Sequence, residues 1–180
     1  SVRFNNTMPW QKISKKDKNT ITSFLIIYDN SFNYVTSYPF YSYNGCSLYE
    51  VKIDKGGNVF MNGSYKDSLK YQGKLLLKNK SIYDVPFLMK LNNTNQVEWI
   101  NEGVAGIGYL NESRNSIYQT FTFDKSRHSI IYNNKDSIVF PASDNIKTII
   151  AEFSSVSGKI KQYTIINTGD KGMSPLQLKG

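Results

Sequence analysis

The 180 residues contain one cysteine and one histidine, and each shortage removes a class of explanation. Cys46 alone excludes an intrachain disulfide framework and any CxxC metal pair, so it reads as a small buried residue rather than a reactive thiol. His128, in DKSRHSII, has no second His or Cys with which to build a transition-metal site. Nor is there a G-x-S-x-G elbow to complete a Ser-His-Asp arrangement, and His128 is read as a surface residue in a turn. No apolar run reaches the roughly 18 residues that a membrane-spanning helix requires. The longest such stretch, FLIIY at 24–28, is of strand length. Alanine is scarce.

What is abundant is aromatic. Thirteen Tyr and ten Phe, with Ile and Val common, favour strands, on whose pleated surface branched and aromatic side chains pack well. At 39% hydrophobic the chain can build a core and lacks the composition of disorder, so the expected class is all-β. The formal charge is +8, but the 22 Lys and Arg are dispersed. The densest cluster, KISKKDK at 12–18, reads as a solvated arm rather than a site for an acidic polymer or membrane, and no specific nucleic-acid partner is implied. Carboxylate pairs such as Asp29 with Glu50 or Asp54 with Glu98 have no spacing that requires them to meet. DKGGN lacks the GK[ST] ending of a phosphate loop. DNSFN, DKGGN and DNIKT lack the spacing of a calcium loop. No catalytic residue, metal site or cofactor is assigned, and enzyme activity has no positive support.

The chain repeats itself. FLIIYDNSFNYV begins at Phe24, FLMKLNNTNQVEW at Phe87 and IIAEFSSVSGKIKQY at Ile149, so that the two intervals differ by a single position. Each is an apolar strand, a polar turn and a second strand, followed by a glycine-containing bend and two further short strands; GNVFMNGSY at 57–65 corresponds to RNSIYQTFTF at 114–123. Short strands recurring at a fixed period suggest about three four-stranded antiparallel blades of a β-propeller, with a β-sandwich as the alternative. The expected divisions are an N-terminal arm at 1–22, a partial first blade at 23–45, a second blade at 46–106, a third at 107–172 and the start of another at 173–180.

DKGGNVFMNGSY at 54–65 resembles the D-x-x-G-N-V-Y-x-x-G-x-F core of the bacterial seven-bladed β-propeller repeat family, and FLMKLNNTNQVEW at 87–99 resembles the F-x-x-K-L-D-x-x-G-x-x-x-W that follows it there. Both halves are present only over residues 46–106. The resemblance implies a propeller. The residue types themselves read as structural: Gly56, Gly57 and Asn58 suit the positive φ of a tight hairpin, and Gly63 suits a bulge or a close approach of strands. Val59, Phe60, Met61 and Tyr65 would fill the space between blades, and Trp99 would bury its ring against the next sheet.

The expected function is a non-enzymatic binding or assembly module in a secreted or cell-surface protein, engaging a protein or glycan ligand. The alternatives are a structural subunit of a larger particle or filament, or part of a propeller enzyme whose catalytic residues lie elsewhere. Under three blades leave sheet faces uncovered, so the expected partners are the remainder of a longer chain or other subunits. Aromatic SYPFYSYNG at 37–45 offers Tyr38, Phe40, Tyr41 and Tyr43 as a contact surface. Sequons occur at Asn5, Asn62, Asn79, Asn92 and Asn111; Asn62 lies mid-strand, which leaves the other four as candidate glycosylation sites.

Overall fold

Alternation of apolar and polar residues along short segments, broken by Asp, Asn and Gly, dictates strands and tight turns. The computed structural model, which describes residues 21–79, 83–103, 109–123, 129–132, 136–139 and 147–167, is built of them, with no helix among those residues. In chain order the strands are β1 (Ile21–Tyr28), β2 (Tyr34–Ser42), β3 (Cys46–Ile53), β4 (Val59–Tyr65), β5 (Ser68–Tyr71), β6 (Lys74–Lys78), β7 (Val85–Leu91), β8 (Val97–Glu102), β9 (Tyr109–Asn111), β10 (Ser116–Phe123), β11 (Ser129–Tyr132), β12 (Asp136–Val139), β13 (Lys147–Ser154) and β14 (Ile160–Asn167). They form three four-stranded antiparallel sheets, ordered β1-β2-β5-β6, β3-β4-β7-β8 and β9-β10-β13-β14, and a two-stranded β11-β12 ribbon.

The repeat is carried by six strands. Hairpin β1-β2 recurs as β7-β8 and β13-β14, β3-β4 as β9-β10, and β5-β6 as β11-β12. The ladders confirm the match in detail: pairing slips between Ile27 and Tyr28 in the first hairpin, between Lys90 and Leu91 in the second, and between Glu152 and Phe153 in the third. Ile27, Lys90 and Glu152 stand at one and the same offset from Phe24, Phe87 and Ile149, where the sequence repeats begin. A bulge adds a residue to one strand and increases its local twist, so its recurrence at one position gives the three strand pairs the same local twist.

The expected 46–106 blade is a sheet with an interruption. Strands β3, β4, β7 and β8 share it, whereas β5-β6, inserted between β4 and β7, turns away and pairs with β2, placing Tyr71 opposite Phe40 and Lys70 opposite Tyr41. In the next repeat the inserted β11 likewise approaches β8. Ile21 and Thr22, expected to end an N-terminal arm, begin β1. Residues 173–180 lie outside the described residues.

By packing, the chain divides into two units, Ser1–Leu48 with Ser64–Val85 and Tyr49–Gly63 with Pro86–Gly180. In the first, Leu25, Phe40, Leu69 and Tyr71 are buried. In the second, Phe60, Leu88, Ile117, Ile149, Ala151 and Phe153 form a core flanked by Trp99, Leu110, Ile160 and Ile165. Val59, Phe60, Met61 and Tyr65 are all buried, as expected of β4. Trp99 is only partly buried; its ring lies 6.1 Å from that of Phe60, and its Nε1–H donates to the Ser155 carbonyl at 3.2 Å. Lys90, directly opposite Trp99, is itself buried, with its ammonium 2.7 Å from Glu98 and 5.5 Å from the centre of the Phe60 ring.

Candidate binding surface

Three hairpin turns are closed by one device. Asp29 accepts from the N–H groups of Ser31 and Asn33 through Oδ1 and from the Asn33 amide through Oδ2, at 2.8–3.0 Å. Asp54 holds the N–H and side chain of Asn58, both at 2.8 Å. Asn92 Oδ1 accepts from the N–H groups of Thr94 and Gln96 and from the Thr94 hydroxyl. In each, the N–H of the first residue also reaches the carbonyl four positions on, and the fourth residue has positive φ: Phe32 at 60°, Gly57 at 77° and Asn95 at 60°. A short side-chain oxygen that mimics a backbone acceptor explains the choice of Asp and Asn at the first position. Of Gly56, Gly57 and Asn58, all expected to supply positive φ, only Gly57 does so; Asn58 instead ties the turn through its side chain.

These contacts decide what the acidic groups can do. The Asn33 N–H, and then its amide, hold the Asp29 carboxyl below its ordinary 3.8. Asp54 is occupied by Asn58, Glu98 by Lys90 and Glu50 by Lys52, the last at 3.3 Å. Among the described residues no three His, Cys, Asp or Glu side chains gather into a metal-binding group. Cys46 is buried, and burial pushes its thiol up to about 11; the Ser23 hydroxyl donates to the Cys46 backbone carbonyl at 2.7 Å. His128 lies outside the described residues.

The aromatic stretch divides on strand alternation. Phe40 is fully buried, stacked on Tyr71 at 4.7 Å with Tyr38 at 6.0 Å from the same ring, so it belongs to the core of the first unit and is withdrawn from the contact surface. Burial, then the neighbouring Tyr38, raises the Tyr71 phenol. Tyr38 is half-buried and Tyr41 partly so, and only Tyr43 of the four is exposed, at 47%. Gly63 is buried within β4. Asn5 lies outside the described residues. Asn79 is half-buried, whereas the carbonyl oxygens of Asn92 and Asn111 serve their own turns. Asn62 is buried.

The most exposed aromatic residue among those described, Phe32, sits at the β1-β2 hairpin tip, upstream of the stretch expected from sequence, while Tyr43, Tyr49, Tyr83 and Tyr163 are exposed elsewhere. Tyr28 is 40% exposed, Val35 57% and Phe32 84%, and Tyr28 meets Tyr34 edge-on at 6.4 Å. The signal for Phe32 was present in the sequence: aligning DNSFN with DKGGN and NNTNQ places a phenylalanine where the other turns have Gly and Asn. Residues 21–48 also carry a single charge, Asp29, in a chain that is 20% charged. No family model, curated protein or solved structure matches the chain.

Proposed function

We propose that the chain is a run of β-propeller-type blades acting as a non-enzymatic binding and assembly module of a secreted or cell-surface protein, with the β1-β2 tip as its contact for a protein or glycan. Phe32 carries the reading. Left-handed backbone costs a non-glycine residue roughly 1–2 kcal/mol, and a bulky residue there is an outlier. At 84% exposure the ring gains little from burial in return. A side chain that is strained and also wet is explained by a contact made with something else. Charge depletion beside Tyr and Phe is the composition of an interface centre, and a turn fixed by hydrogen bonds from both the Asp29 side chain and the backbone presents the ring at little entropic cost on binding. The two complete sheets with an inserted hairpin support the propeller part of the proposal.

The test compares the wild-type chain with Phe32→Asn on a glycan array and in quantitative binding to any protein ligand purified by affinity to the wild type. A ligand that the variant binds at least tenfold more weakly, without a fall in melting temperature, supports the assignment. Equal binding by the variant, or no ligand at all, removes the tip from this role.

A further inference from the structure

In two of the three four-stranded sheets, the strand that opens the repeat lies inside the sheet. Strand β7 is flanked by β4, and β13 by β10, each the second strand of a preceding hairpin. Their counterpart β1, which has the same bulge, ends its sheet among the described residues. Sheet edges are normally protected by charge or brevity, because an open row of N–H and C=O groups recruits other strands. The remaining edges follow that rule: Lys74 and Lys78 on β6, Glu50 and Lys52 on β3, Glu98 and Glu102 on β8, Lys161 on β14, and the short span of β9. Strand β1, ITSFLIIY, is as long as β3 and β14, the longest of those edges, and has no charge and no proline.

We propose that the outer edge of β1 is a docking site for a β-hairpin of the β3-β4 kind, supplied by a further repeat of this sequence pattern. The two sheets that contain such a hairpin show both the occupant and its manner of pairing. In each of these sheets the chain leaves the hairpin, runs through 66–84 or 124–146, and returns as the strand that joins it, β7 or β13. This inference rests on the six-strand repeat and not on the binding role of Phe32, so either can fail alone.

The experiment duplicates residues 46–65 ahead of Ser1 in the full chain and reads amide hydrogen exchange by mass spectrometry, with β7 and β13 as internal controls for folding. Without the extension, residues 21–28 should exchange at least tenfold faster than 85–91 and 147–154. The extension should slow them at least tenfold, and Val59→Pro with Met61→Pro in the duplicated copy alone should abolish the effect. If the extended chain fails its internal controls, the peptide 46–65 is added in trans and should give the same protection. Three results overturn the proposal: β1 already protected at the lowest concentration, β1 protected only as concentration rises, which assigns the edge to a second copy, or β1 unchanged by both extension and peptide.

Discussion

Gly158 closes the β13-β14 turn at φ +71°, and a Cβ built there would lie 2.8 Å from Asn101 Nδ2 and 2.9 Å from Trp99 Cδ2 and Cε3. Gly158→Ala therefore perturbs the fold twice. Left-handed backbone costs an alanine roughly 1–2 kcal/mol, partly offset by about 0.4–1 kcal/mol from a less flexible unfolded chain. Carbon atoms pack best at about 3.5–4.0 Å, so Trp99 must retreat by roughly half an ångström or more, an overpacking cost of about 1–3 kcal/mol. Asn101, 2% exposed, donates to the Gly158 carbonyl at 3.1 Å, and losing a buried bond of that kind adds about 1–3 kcal/mol. The expected loss is about 3–5 kcal/mol, read from urea denaturation with Trp fluorescence. Gly73→Ala is the control: its φ is +76°, yet nothing lies within 4 Å of the added carbon, so strain alone predicts a loss of about 1 kcal/mol or less. Equal losses at the two glycines would refute the packing of Trp99 and Asn101 on this turn.

Gln119, 1% exposed, leaves both ends of its amide without a hydrogen-bond partner. Counted from the left-handed residue of each turn it takes the place of Met61, so Gln119→Met should raise stability by about 1–2 kcal/mol in the same denaturation assay. Phe32→Asn should raise the melting temperature slightly, by relief of about 1 kcal/mol of strain, since the chain already accepts Asn at φ 60° at position 95; a clear fall would mean that the ring packs within the fold. Asp54→Ala should cost about 1–2 kcal/mol through loss of both bonds to Asn58. Glu152 is held below its ordinary 4.5 by the Ser116 hydroxyl first, with the Gln162 amide and the Lys161 ammonium assisting against burial. The unfolded chain therefore takes up this proton first, so the contribution of Glu152 is whole above its ordinary value of 4.5 and is lost as pH falls through the depressed one. Glu152→Gln should flatten the decline of stability in acid, and an unchanged acid limb would exclude that linkage.

The sequence by itself determined the local grammar. Alternation and aromatic content specify strands, Asp29, Asp54 and Asn92 specify turns through a side-chain oxygen that binds amides a few positions ahead, and the regular spacing of the apolar strands reappears as the spacing of the bulges. All of these depend on residues close in the chain or on a pattern repeated along it. Which hairpins share a sheet was decided only in three dimensions, because backbone hydrogen bonds do not distinguish one side chain from another. The departure of β5-β6 from the 46–106 sheet to pair with β2 has no local signature. Burial was decided there too. Phe40 and Phe32 are the same residue type a few positions apart, one fully buried and the other 84% exposed; what separates them is the strand β5, delivered beside Phe40 from well downstream, which brings Tyr71 onto its ring.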